Sequence, residues 1–490
     1  MIGRLARWLE RRVGGSDFLR DKLSKVFPES WTFLFGEIAL YAFVVLVLTG
    51  TFLALFFDAS HTETTYFGNY SPLHDVEMSA AYRSTLELSF DVPAGLLMRQ
   101  AHHWAALVFV AAIVVHLSRI FFTGAYRRPR ELNWTIGVTL LLLAILEGFA
   151  GYSLPDDLLS GTGARIAYAI IESIPFIGVW LGSLLFGGLF PGEEIIGRLF
   201  TLHVFILPVL FFGLIGLHLA LVFRQTHTQF PGPDRSEDNV VGVKVWPTYT
   251  AMSVGMFMFT CALLFGLGGL VQINPVWYYG PYDPFVVSIN AQPDWYMGWL
   301  EGSLRLFPPW EFSGARFMVA NPFFPAALLP MLTFAALYAF PFLERRLTGD
   351  RGEHHVLDRA RDHPLRSAVG AATITFYAIL TIAGADDIVA LLFNVDITGL
   401  VVFLRVAAVV GPVLAAYVTY RWCRDLAAGT AEAASAGTHG EAAKDEGGDG
   451  EQGPGQRWSP RRRWRLAFAG LAAALGYGSA RRDRPPDGRS

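Results

Sequence analysis

The chain has almost no cysteine: two residues, Cys261 and Cys423, in 490 positions, forming neither CxxC nor CxxCH. Covalent c-type haem attachment and cysteine-ligated iron–sulfur clusters are therefore excluded as groups this chain holds by itself. Charge is scarce as well. Only 17% of residues are Asp, Glu, Lys or Arg, against about 25% in an average soluble domain. The first 30 residues lack the central apolar run and small-residue cleavage site of a signal peptide, so the first apolar segment is expected to act as its own insertion signal. Nucleic acid is not an expected partner; membrane lipid is.

Apolar residues make up 53% of the chain. Hydropathy divides them into eight stretches, at 32–57, 101–122, 134–152, 200–222, 249–272, 322–342, 367–385 and 398–420, each about long enough to cross a bilayer. An all-α membrane protein of about eight transmembrane helices is expected. Its parts are a basic amphipathic N-terminus (1–31), a four-helix bundle (32–225), a C-terminal helical region (226–425) and a disordered tail (426–490). With an even number of spans both termini share a side, and the segments on that side carry 31 of the 39 lysines and arginines. The positive-inside rule makes that side cytoplasmic. In the tail, Arg461, Arg462, Arg463 and Arg465 precede the short apolar run 466–477, which suits either a cationic foot on anionic lipid or a solvated tail.

Four histidines stand out. His102 and His116 lie 14 residues apart in the second stretch, and His203 and His218 lie 15 apart in the fourth. At 3.6 residues per turn, 14 falls about 40° short of four turns and 15 passes them by about 60°, so each pair shares a helix face, its members about 21 to 22 Å apart. A single histidine in an apolar helix more often bonds a neighbouring helix. Four at matched depths define two stacked bis-histidine sites, suited to low-spin haem iron that carries electrons and leaves no position open for oxygen. His103 is an internal control, since a step of 13 to His116 lands about 140° away.

Glycines repeat the step: Gly36 with Gly50, and Gly137 with Gly151. Either porphyrin edges or ordinary small-residue helix packing would use them. Arg99 lies three residues before His102 and Arg119 three after His116, placed for haem propionates or for snorkelling at the interface.

Taken together with WTFLFGE at 31–37, TGTFLALFF at 49–57, GYSLP at 151–155, SIPFIG at 173–178, LHVFILP at 202–208, WPTYT at 246–250 and PDWY at 293–296, the chain resembles cytochrome b of the quinol–cytochrome c reductase (cytochrome bc) complexes. The 15-residue step and HTQFPGP at 227–233 look most like the actinobacterial branch. The resemblance covers about residues 25–425. It implies two b-type haems, a low-potential outer one on His102/His203 and a high-potential inner one on His116/His218. It also implies oxidation of a quinol, menaquinol by branch, at an outer site, one electron going to a Rieske iron–sulfur subunit and the other through the haems to a quinone at an inner site, with proton translocation. The expected partners are that Rieske subunit, a cytochrome c subunit of dihaem type, a cytochrome c oxidase in a supercomplex, and a second copy of the complex as a homodimer.

The resemblance also assigns sites. Asp294 and Tyr296 in PDWY, with Glu301 two turns further on, are the outer-site residues, Asp294 and Glu301 sharing the protons. Many relatives have glutamate at the position of Asp294, which could alternatively cap a helix, and Glu301 could instead pair with Arg305. His227 resembles the inner-site histidine but stands farther from His218 than is usual, and could be a surface-loop residue. Ser253 stands roughly where the family has an inner-site aspartate. Two other readings remain: a different dihaem membrane anchor, which has no call for PDWY or the 14-step glycines, and a haem-free transporter with buried histidines. A reduced-minus-oxidised visible spectrum separates haem from no haem.

Overall fold

The computed structural model describes residues 22–428 apart from 287–291 and 315–317, together with Trp8, Arg12 and the backbone of 429–442. Eight helices among the described residues are long and apolar enough to cross a membrane: Trp31–Ala54, Gly95–Phe122, Glu131–Tyr152, Ile195–Gln225, Val245–Leu270, Phe323–Thr348, Pro364–Ala383 and Ile397–Ala428. The protein is a multi-pass helical membrane protein, as its hydropathy pattern indicates. Most spans extend several residues beyond the apolar stretches, because polar residues that hydropathy excludes, such as Arg99 and Glu131, still continue the backbone ladder. Spans end where side-chain chemistry ends them. Ser30 caps the turn that opens the first span, and Gly349, at φ 70°, closes the sixth in the left-handed conformation that glycine takes without strain.

Residues 1–428 form one compact unit and 429–490 a second. The expected boundary near 225 is not a break, because the fifth span packs against the first and second: Gly268 lies so close to Ala101 that an added Cβ would sit 2.7 Å from the Ala101 nitrogen. The last helix runs to Ala442, into the stretch expected to be disordered from 426; its alanines are strong helix formers. Residues 443–490, with the arginine cluster and the run 466–477, and most of the basic N-terminus lie outside the described residues.

Connections on one side carry most of the extramembrane structure. Strands Glu63–Thr65 and Glu77–Ser79 pair antiparallel ahead of the helix Ala80–Phe90, around the buried rings of Tyr66 and Tyr82. Helices Leu158–Glu172 and Gly178–Phe186 follow the third span. The helix Trp295–Leu306 lies against the seventh span, with Gly298 facing Thr381.

On the other side, ion pairs join the connection after the second span to the one after the sixth. Asp358 accepts from Arg366 Nη2 at 2.6 Å and from Arg127 Nη2 at 2.8 Å, while its own amide donates to Thr123 O. Arg366 also reaches Glu344, to which Tyr126 donates at 2.6 Å. Burial alone would raise the Asp358 carboxyl, but His363 and the two guanidiniums outweigh it and hold the group down at about 2. A carboxyl held below its unfolded value adds stability that is complete above about pH 4 and is lost as pH falls toward 2, on the order of 2 kcal/mol less solvent screening. The apparent melting temperature of the purified complex should therefore fall between pH 4 and pH 2. Asp358→Asn should melt several degrees lower at pH 7 and show a shallower acid limb; an acid limb identical to wild type would remove this clamp from the account.

Candidate functional site

The second and fourth spans bring the four histidines together as two pairs. The rings of His102 and His203 have centres 6.1 Å apart and planes at 77°, and those of His116 and His218 are 6.4 Å apart at 70°. Two imidazole–metal bonds of about 2.0 Å, with the half-width of each ring added, put ring centres about 6 Å apart. Both pairs have the separation of two ligands on opposite sides of one metal ion. His102 Nδ1 is bonded to Thr49 Oγ1 at 2.9 Å, and His203 Nδ1 to the Glu147 carbonyl at 3.0 Å, which leaves Nε2 of each ring for a metal. The Glu147 carboxylate also lies 3.2 Å from His203 Nδ1.

The unequal steps of 14 and 15 are reconciled by the backbone. Residues Leu202–Ile206, at the start of the second histidine pair, form a π-helical turn. A π turn takes in one residue more than an α turn, so the 15-residue step covers the same ground as the 14-residue step of the second span.

All four glycines face these rings, and each faces a different one. A Cβ on Gly36 would sit 3.1 Å from His116 Cε1, and one on Gly50 3.0 Å from His102 Cε1. On Gly151 it would overlap His203 and lie 2.8 Å from Nε2, whereas on Gly137 it would meet His218 at an ordinary 3.8 Å. Between the two levels the same four helices supply bulk: Phe43, Phe109 and Phe211, at the middle of the first, second and fourth spans, have ring centres 5.6 to 6.0 Å apart, and Leu140, Leu141 and Ala144 close the third side.

Both arginines retain unused donors. Arg99 donates Nη2 to Asn274 O at 3.2 Å and lies over Trp277, with its buried Nε unpaired. Arg119 lies 4.3 Å over Phe33, and its buried Nε and Nη2 have no partner. Unpaired guanidinium donors are costly to bury, so a cationic cradle stands ready for an anionic group at each level. Imidazole pairs, glycine clearances and free guanidiniums together fit two haems with carboxylate side chains.

Near the His102/His203 level Asp294 lies 2.9 Å from His103 Nε2 and accepts from Tyr296 OH at 3.2 Å. Tyr296 is 3% exposed and packs on Gly148 of the third span, one residue from Glu147. Burial, with Asp294 adjacent, raises its phenol well above the ordinary value. The Asp294 side chain does not cap the helix that follows it. Glu301 belongs to a different set: Arg305 Nε donates to it at 2.9 Å, while Arg305 Nη1 engages Asp386 and Asp387. The GYSLP end of the third span is tied to the 280–282 segment through Leu158 N to Gly280 O and Tyr282 N to Asp156 O, each 3.0 Å. Gly163 lies against Tyr152. Nearby Asp157 is fully buried, and burial raises it to about 6 against the lowering bonds of Ser160.

Near the His116/His218 level His227 is not a free loop residue. Its ring lies 4.5 Å from that of Phe33 and 5.5 Å from that of Phe27, and its Nδ1 is bonded to Thr228 O. Burial, with Arg119 and Arg130 adding, lowers it to about 4. Three residues now belong with the sites that spacing arguments passed over: His103, set aside as a control; Glu147, beside His203; and Glu37, treated below. Glu37 follows Gly36 and stands four before Tyr41, a readable helical pair.

The fold and site define a multi-span helical membrane protein with two levels of paired histidines clasped by glycines. A family model for the N-terminal part of cytochrome b (cytochrome b/b6/petB) matches residues 107–281. The chain is 52% identical over 424 residues to the cytochrome bc1 complex cytochrome b subunit of Mycobacterium leprae, covering 86% of this chain and 77% of that one. It is 48% identical to that of Corynebacterium efficiens, covering 85% and 76%, and 46% identical to that of Streptomyces coelicolor, covering 86% and 78%. Among solved structures, a chain of a hyperthermophilic respiratory Complex III superposes with a TM-score of 0.63 at 20% identity, covering 85% of this chain and 100% of that one, a likeness of fold. The chain belongs to the cytochrome b subunits of the bc1 complex, a quinol–cytochrome c oxidoreductase. Membership implies b-type haems.

The unequal clearances separate two substitutions that spacing alone treats alike. Gly151→Ala should displace His203 and weaken one b-haem absorption band, while Gly137→Ala should leave both bands at wild-type intensity. Reduced-minus-oxidised spectra of the two purified complexes decide this; equal losses in both would mean that the glycines serve helix packing and not ring clearance.

Proposed function

We propose that this subunit oxidises menaquinol at the outer site and reduces a quinone at the inner one, moving charge across the membrane and contributing to proton translocation. The paired ring geometry carries the reading. His102 and His203 would hold the low-potential haem and His116 and His218 the high-potential one, each supplying a one-electron carrier with both axial positions filled. Arg99 and Arg119 would bind the propionates, and Gly36, Gly50, Gly137 and Gly151 keep the space beside the rings open. Because the described residues and the cysteine count offer no iron–sulfur or c-type ligation, a Rieske subunit and a cytochrome c subunit, of dihaem type, complete the reaction. A terminal oxidase in a supercomplex and pairing of two complexes follow from the resemblance to the actinobacterial branch. The lysine and arginine distribution puts both termini in the cytoplasm and the PDWY loop outside.

At the outer site Asp294 accepts a proton from the quinol. His103 and Tyr296 hold its carboxylate from two sides and aim it, which supplies the reach that aspartate lacks relative to glutamate. Glu301 takes part as the second carboxylate, its exchange with water governed by how readily Arg305 releases it. His227 lines the inner site beside Phe33 and Arg119.

His203→Ala or His102→Ala should remove the outer haem signal and His116→Ala or His218→Ala the inner one, with His103→Ala keeping both. Two unchanged b-haem signals in His203→Ala would defeat the ligand assignment. For the protons, quinol oxidation against pH should drop about ten-fold or more in Asp294→Asn and less in Glu301→Gln, a loss of general-base assistance. A wild-type rate and pH profile in Glu301→Gln, with haems and subunits in place, removes Glu301 from the path.

A further inference from the structure

Ser253 stands roughly where the resemblance to cytochrome b implies an inner-site aspartate. A carboxylate reaches that place from another helix. Glu37 of the first span follows directly on Gly36, the glycine facing His116. Its Oε1 accepts from Tyr249 OH at 2.5 Å, and its Oε2 accepts from Tyr41 OH at 3.0 Å and from Ser253 Oγ at 3.3 Å. Tyr41 OH and Ser253 Oγ are also bonded to each other. The ring of Phe27 lies 4.9 Å from that of Tyr249 and 5.5 Å from that of His227, so the phenol that holds Glu37 and the imidazole flank one aromatic ring. All four members of the Glu37 cluster are half-buried, and exposed Trp31 and Trp246 stand at the ends of the same two helices.

What holds this carboxylate sets it apart. Among the described residues its hydrogen-bond donors are all hydroxyls, and no lysine or arginine lies within ion-pair distance. Other charged groups face it from further off: His116 and Arg119 of the second span, His227, and Lys25, whose ammonium donates to Phe223 O. A carboxylate that only tied helices together inside an apolar span would be expected to take a cation. One held by neutral hydroxyls can gain and lose a proton without breaking an ion pair, and each hydroxyl can pass a proton on.

We propose that Glu37 is the proton-delivering carboxylate of the inner quinone site, with Tyr41, Tyr249 and Ser253 as its relay and a quinone of the menaquinone class as its substrate. This rests on the inner-site reading given above. Reduction of the quinone adds two electrons, drawn from quinol oxidised at the outer site, and two protons, and forms two O–H bonds. Glu37 gives one of the two protons to the nearer quinone oxygen and regains it from the cytoplasmic water through the hydroxyls, while the second proton reaches the other oxygen from the same water, so Glu37 ends each cycle as it began.

The test uses the whole complex, purified with wild-type or variant subunit and placed in liposomes with a short-chain menaquinol. Glu37→Gln should keep both b-haem bands and a normal first turnover of quinol oxidation, while steady turnover and proton uptake from the inner-site side fall at least ten-fold. Glu37→Asp should recover part of the rate with a displaced pH profile, and Tyr249→Phe should displace the profile with KM unchanged. Wild-type turnover and pH dependence in Glu37→Gln overturn the proposal. Should that variant fail to assemble, unchanged pH profiles in both Tyr249→Phe and Ser253→Ala overturn it equally. A wild-type complex that takes up no protons and reduces no quinone on that side would sink the inner-site reading itself, and Glu37 with it.

Discussion

Two flat pairs of imidazoles can be stacked inside a helical bundle only if the neighbouring helices offer no side chains at those levels. Every other property of the core follows from this clearance. Gly36 and Gly50 open the first span opposite His116 and His102, and Gly137 and Gly151 open the third opposite His218 and His203. Cleared space weakens a bundle, since voids forfeit packing. The lost bulk is restored halfway between the levels, where Phe43, Phe109 and Phe211 meet. The alternation of absence and bulk keeps the levels apart and the bundle closed.

The acids of this chain fall into kinds according to what holds them. Asp358 and Glu301 face guanidiniums, which together with His363 hold the Asp358 carboxyl down at about 2. Asp294 faces an imidazole and a phenol, and Glu37 faces hydroxyls alone. These last two, held without a guanidinium, stand at the two proposed quinone sites.

Eight spans were legible because apolar runs of that length have few other uses, and the histidine and glycine repeats were legible because a helix converts spacing directly into direction. What stayed hidden depends on pairs far apart in the chain. His103 and Asp294 are 191 residues apart, and Tyr249 and Glu37 are 212 apart; no local period announces either bond. The vacancy at Ser253 could be read from one helix, but not its filling from another. Likewise the fifth span's approach at Gly268, which joins the four-helix bundle and the C-terminal helical region into one unit, is a property of the partner helix as much as of the glycine.

The π turn at Leu202–Ile206 bears on how such a chain can vary in length. Elsewhere in these spans, one added or deleted residue would rotate everything beyond it by about 100°, swinging a histidine off its partner. A wide turn next to His203 works as a shim. It takes up a surplus residue within a few ångströms, so the helix on either side keeps its register with the neighbouring spans. A chain with a 14-residue step in this helix would therefore superpose on the same four rings, and within the two histidine-bearing helices the π turn that holds His203 is where an insertion enters without rotating a ligand.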